Sequence, residues 1–254
     1  MKNIFILATL LAVTGSTTLQ AQDLPEAGSF STEIQFNPLD EDANSFSLEG
    51  LKFRYFINEK NALRFGIGLG MDNSKYSLKK ELSDEETPES ITEQEYKAQK
   101  FDLNIRLGYE RHFPIGKRAD LYVGGEMGIS KRFAKTVIEE TSYARVTTES
   151  ELKNAYLPNE VLESMGNNVA LSDIPEDNRA HLGFNVTAFT GIDFYLYKGL
   201  FIGAEMGLGV DTYSTNKPEL TVGDNSSKVT TSSDSKYYRT KINIEPHISL
   251  GWTF

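Results

Sequence analysis

Apolar and polar residues alternate along most of this chain. Ile242, Ile244, Pro246, Ile248, Leu250, Trp252 and Phe254 are interleaved with Lys241, Asn243, Glu245, His247, Ser249, Gly251 and Thr253. Successive side chains of a strand point to opposite faces, so a period of two predicts a strand with one greasy and one polar or small face. The same alternation runs through 51–55, 63–72, 101–110, 121–129, 182–196 and 200–211, and more weakly through 32–36. These segments predict eight strands. The connections between them alternate in length. Asn58–Asn61, Pro114–Ala119 and Lys198-Gly199 are short, whereas Asn37–Ser45, Ser77–Tyr96, Lys135–Asn178 and Ser214–Ser235 are long. An even number of alternating strands, with short turns at one end and long loops at the other, predicts an all-β fold: an eight-stranded antiparallel up-and-down transmembrane β-barrel with long extracellular loops.

A soluble sandwich or lipocalin-like barrel is the competing arrangement, with the apolar face as core and the polar face in water. Two details count against it. Glycine weakens a strand, yet the polar face carries Gly66, Gly68, Gly70, Gly203, Gly207 and Gly209 beside charges. Inside a narrow barrel such glycines make room for an opposing Arg or Glu. Aromatic residues also gather near the short-turn ends (Tyr55, Phe56, Phe113, Phe194, Tyr197, Trp252, Phe254), as in an interfacial belt.

The first residues are set apart from the fold. Lys2, the apolar stretch Ile4–Val13 and the small, polar Thr14–Ala21 have the order of a cleaved signal peptide, with cleavage expected after Ala21. The expected organisation is a signal peptide over 1–21, a short periplasmic segment over 22–29 and the barrel over 30–254. The chain has no cysteine, which excludes disulfides, cysteine-based metal sites and thiol nucleophiles. Its net charge is −10, or −11 without Lys2, and the acidity is concentrated. Lys79–Tyr96 carries −5 and Lys135–Asn178 carries −6, leaving the remainder near neutral. Nucleic-acid binding needs a basic footprint and is excluded.

The last seven residues, Ile248-Ser249-Leu250-Gly251-Trp252-Thr253-Phe254, resemble the terminal strand of outer-membrane barrels, in which a final aromatic residue is read by the barrel-insertion machinery. On this resemblance Trp252 and Phe254 form the C-terminal insertion signal. The chain from about Phe30 onward is similar to the small barrels common in Bacteroidota and to the OmpA/OmpX type, here expected without a peptidoglycan-binding domain. The resemblance implies export by the general secretory pathway, residence in the cell outer membrane among its lipids, and a non-enzymatic role in structure, loop-mediated binding or adhesion. A narrow porin-like channel for small solutes is the alternative.

An eight-stranded barrel has an interior that side chains can fill. The expected lumen charge network is Arg54, Arg64, Arg106, Glu110, Glu126, Glu205, Arg239 and Glu245; Glu33, Lys52, Asp193, Lys241 and His247 share the inward face. Buried charges are costly unless paired, so at least two of Arg64, Arg106 and Arg239 are expected to meet at least two of the glutamates. A proton or ion path through these groups would need water among them. His247 and Ser249, two apart with Glu245 on the same face, resemble the His and Ser of outer-membrane lipid A deacylases, which makes a lipid hydrolase the minor alternative. Alternation turns them to the lumen, away from lipid, and no catalytic residue is assigned. Three scattered histidines make no metal motif, and no cofactor-binding fingerprint is present. In the 135–178 connection, Ser150–Tyr156 and Asn159–Ser164 read as helix, with Leu152, Tyr156, Val161 and Leu162 as an apolar face that caps the barrel or meets an extracellular ligand or protein.

Overall fold

The computed structural model describes residues 24–36, 46–82, 90–141, 147–165, 170–222 and 229–254. The signal-peptide expectation over 1–21 lies outside them. The described strands are β1 (Phe30–Phe36), β2 (Phe46–Asn58), β3 (Asn61–Leu82), β4 (Ser90–Ile115), β5 (Ala119–Thr141), β6 (Thr147–Lys153), β7 (His181–Tyr197), β8 (Leu200–Thr215), β9 (Glu219–Val222), β10 (Val229–Ser232) and β11 (Tyr238–Thr253), with one helix, α1 (Asn159–Met165). Eight of these strands close on themselves in the order β1-β2-β3-β4-β5-β7-β8-β11, all antiparallel, with β11 returning to pair with β1. Phe30 and Phe254 exchange backbone hydrogen bonds at the seam.

The alternation decides which way the barrel is turned. Leu107, Met127, Ile129, Leu182, Leu208 and Ile244 all lie on the outside, each more than half exposed. On β4 the outward residues from Phe101 to Phe113, apolar but for Arg111 near the short-turn end, cover about 40 Å of strand at about 3.3 Å per residue. Tilted by about 40°, that spans roughly the hydrocarbon core of a bilayer. A soluble barrel would hide this face.

Tight turns mark one end. Lys198 and Gly199 both have positive φ (45° and 84°), the left-handed pair that matches the twist of a two-residue hairpin. Asn58 closes the β2–β3 turn by accepting from the backbone N–H of Lys60 (3.0 Å) and the side chain of Asn61 (2.8 Å).

The other end departs from the expected loops. The Ser77–Tyr96 connection is mostly sheet, because β3 and β4 stay paired as far as Leu82 and Ser90. β5 changes partner along its length: Ala119–Arg132 pairs with β7, and Lys135–Thr141 pairs with β6. β9 then adds to β6 and β10 to β9, so a wall of sheet stands beyond the apolar belt. Ser150–Tyr156 is therefore not helical: Ser150–Lys153 belongs to β6. Helix-favouring residues such as Glu149, Glu151, Leu152 and Lys153 are overridden by the free edge that β5 offers once β7 has diverged, an instance of tertiary pairing outweighing local propensity. The expected helix at Asn159–Ser164 corresponds to α1.

Against the inner face of this wall lies a small apolar core of Leu152, Ala155, Leu157, Leu162 and Ile174, flanked by Val161, Tyr76 and Tyr96. Tyr156 sits in an adjoining cluster with Ala98, Ala134 and Ala180. Arg179 is fully buried beneath it. Its guanidinium donates to the carbonyls of Ile174 (2.9 Å), Ser172 (2.8 Å) and Ser235 (3.0 Å) and stacks on Tyr237, tying the 170–180 segment to the stretch before β11.

Candidate functional site

Inward residues of β1–β5, β7 and β8 converge in a layer toward the short-turn half of the barrel. Buried there are six carboxylates (Glu33, Glu110, Asp120, Glu126, Asp193, Glu205) and four cations (Lys52, Arg54, Arg64, Arg106). Their partners come from across the barrel as well as from neighbouring strands. Arg64 on β3 meets Glu205 on β8 through two parallel bonds of 2.8 Å, Glu126 on β5 at 2.7 Å and Glu110 on β4 at 3.3 Å. Arg54 on β2 contacts Asp193 on β7, Glu110 at 3.0 Å and Glu33 at 3.4 Å. Lys52 bridges Glu33 and Glu205, the latter at 2.9 Å. The planar five-donor fork of arginine suits it to this sharing, since separate N–H groups can reach separate carboxylates.

Aromatic rings fill the space between the charges. The Arg54 guanidinium lies 4.6 Å from the Tyr122 ring centroid and the Arg64 guanidinium 4.1 Å from that of Phe189. Tyr122 also donates its hydroxyl to Glu205 (2.8 Å). The rings need bare backbone opposite them: a Cβ on Gly191 would fall 2.4 Å from the Tyr122 ring. Glycine on the inward face thus accommodates aromatic rings here as well as the charged partners expected from sequence.

His112 joins the same layer. Its Nδ1 faces Asp120 at 2.8 Å and its Nε2 faces Glu110 at 3.1 Å, where carboxylates outnumber the permanent cations. Read as a residue beside a turn, His112 carries no signal of this position: Glu110 stands two residues before it on β4, but Asp120 comes from β5 across the hairpin.

Of the eight expected network residues, Arg54, Arg64, Arg106, Glu110, Glu126 and Glu205 are buried in the layer or at its upper edge. Arg106 pairs with Glu126 at 3.1 Å and reaches Glu245, a partly exposed residue, at 3.7 Å. Arg239 is a correction. It stands near the top of β11, half exposed, and pairs with Glu176 in the 170–180 segment. Alternation gives the face of a residue but not its height, and Arg239 lies on the inward register well above the layer. His247 and Ser249 are buried inside the barrel with Glu245 on the same face. Trp252 and Phe254 project from the short-turn rim, 40% and 73% exposed. Among the described residues no group of three or more His, Cys, Asp or Glu side chains could hold a metal ion.

No curated protein matches the chain. The sequence model of the OmpA-OmpF-like porin family matches residues 40–254, which takes in seven of the eight barrel strands and every external element described above. With the closed barrel and its outward apolar belt, that match makes this an outer-membrane barrel protein, and the chain belongs to the OmpA-OmpF-like porin family.

Proposed function

We propose that the mature protein, beginning near residue 22, is a non-enzymatic outer-membrane barrel of the kind found as small barrels in Bacteroidota, with its lumen held shut by the Arg54–Arg64 layer. The observation that supports it is the set of contacts across the barrel, Arg64 to Glu205 and Arg54 to Asp193. Opening a path means pulling apart a network of buried charges that share partners across the barrel, and stranding one such charge costs about 3–5 kcal/mol. Export through the secretory pathway, lipid around the apolar belt, and insertion guided by Trp252 and Phe254 belong to the same reading. Contact with an extracellular ligand or protein falls to the 135–178 region, which is folded around its own apolar core.

A narrow channel is the second reading. It is favoured by the open space above Arg106 and by the family's porin character. Planar-bilayer recording of the purified protein separates the two. A flat baseline is expected; steady unitary currents from the wild type would overturn the plug and support the channel.

A further inference from the structure

Among the described residues, two charged side chains interrupt the apolar outer face of the barrel. Arg111 lies between Tyr109 and Phe113 near the short-turn end, and Lys131 lies between Ile129 and Phe133 near the other end. The ladders set Lys131 opposite Leu103 on β4 and Leu182 on β7, so its neighbours on that face are apolar on both sides as well as above and below. A cation turned toward hydrocarbon is costly unless its head reaches water or a lipid headgroup.

The two residues meet that cost differently. Arg111 donates to Asn61 at 2.9 Å. Lys131 runs along its own strand instead, and its ammonium lies 4.9 Å from the centroid of the Phe133 ring, nearer the external end. The stem thus covers apolar surface while the head is carried to the upper border of the belt. Directly above that border stands Lys135, opposite Gln99 on β4, which is itself opposite Asn73 on β3. Four residues apart on one face, Lys131 and Lys135 are separated by about 13 Å of strand at about 3.3 Å per residue, within the combined reach of two lysine side chains.

The carboxylates of this face stand higher or to the side. Glu151 contacts Lys135 at 3.3 Å from one level above, in a pair exposed enough to be weak. Glu95 and Glu139, two levels above Lys135, hold Lys75 and Lys97. Glu219 faces Lys153 across the β6–β9 ladder. None shares the level of Lys131 on β4, β5 or β7.

We propose that Lys131 and Lys135 hold the phosphate of an outer-leaflet lipid headgroup, with the acyl chains of that lipid lying on Phe101, Leu103 and Leu182. The inference rests on the reading that lipid covers the apolar belt, and adds which headgroup is gripped and where. An ammonium offers three donors and no acceptor, which suits the oxygens and charge of a phosphate. A free phosphate ion is the poorer occupant, because the lower side of the site is hydrocarbon-facing surface that only a lipid would cover.

The test is native mass spectrometry of the refolded full-length protein, titrated in detergent micelles with dimyristoyl phosphatidate. Dimyristoylglycerol, dimyristoyl phosphatidylcholine and inorganic phosphate serve as comparisons. Phosphatidate is expected to bind at least about tenfold more tightly than either other lipid. Lys131→Gln should weaken it at least about fivefold, the scale of one lysine at an anionic lipid surface, and adding Lys135→Gln should weaken it further. Lys217→Gln, which removes the same charge in the roof, should leave it unchanged. Heat-modifiable mobility would report folding, and Lys131→Met stands in should the glutamine variant misfold. Equal affinity for phosphatidate and dimyristoylglycerol, displacement of phosphatidate by an equal concentration of inorganic phosphate, or affinity unchanged in the folded Lys131 variant would each overturn the proposal. Failure of all three lipids to bind would overturn the lipid-covered belt, and this proposal with it.

Discussion

The barrel is closed by one kind of chemistry and roofed by another. In the lumen, Arg64 and Arg54 each meet three carboxylates drawn from different strands. Above the belt, α1 and the segments around it are held by a small apolar core and by Arg179, whose partners are carbonyl and hydroxyl oxygens. The lumen layer joins strands on opposite sides of the barrel, so disturbing it disturbs closure itself. The roof rests on the extension of β5 and its neighbours beyond the last β5–β7 pair, and can open while every barrel ladder stays intact. Charge in this molecule is global in its effect, and the apolar contacts outside the membrane are local. That inverts the usual expectation for a soluble domain, because here the bilayer has taken the apolar face of the strands.

The largest expected effect comes from Arg64→Ala. It removes a shared cation from buried carboxylates on three strands and should destabilise the barrel by about 3–5 kcal/mol, seen as a lower temperature for loss of heat-modifiable mobility and as transient bilayer currents. A wild-type transition temperature would break the comparison at its centre. A smaller and more localised effect is expected from Arg179→Ala, which leaves several carbonyls without their donor at about 1–3 kcal/mol for a group that stays buried. Protease cleavage between 170 and 180 should appear while the barrel transition is unchanged. If the barrel transition fell as far as in Arg64→Ala, roof and lumen would be one unit.

The smallest effect sharpens the contrast through pH. Burial raises the Tyr156 phenol above its ordinary value, with a hydrogen bond to Asp72 adding to the shift, and burial does the same for Tyr76 and Tyr96. A group that holds its proton more tightly when folded contributes stability that is fully present below its unfolded value, about 10 for tyrosine, and is lost as pH rises past it. Hydrogen exchange in the roof should therefore quicken above about pH 10. Tyr156→Phe should weaken that dependence, since phenylalanine cannot ionise. Exchange independent of pH, after correction for the intrinsic rate, would remove the tyrosines from the account.

The period of two carries most of this architecture. It identifies the strands, separates lumen from lipid, and names Arg54, Arg64, Glu110, Glu126 and Glu205 as inward residues before any coordinates. What it cannot carry is height along the barrel, and for that reason Arg239 is expected in the layer but stands near Glu176. Nor can it mark β6, whose strand character comes from an edge supplied by β5 rather than from its own residues. Arg179 leaves no sequence signal at all. An arginine in a polar connection looks solvated, and its burial follows from carbonyls brought together by the fold.

The continuity of β3, β4 and β5 across the membrane boundary has a mechanical consequence. β4 alone, from Ser90 to Ile115, is about 85 Å of unbroken strand at about 3.3 Å per residue. It is hydrogen-bonded to β3 and β5 along nearly its whole length. The β3–β5 part of the external wall is thus the barrel's own staves prolonged, with no joint at the lipid surface. Its height and compass bearing over the membrane are set by strand tilt, so anything gripped at the tip is carried on a rigid mast, and torque applied there is delivered directly to the wall of the barrel.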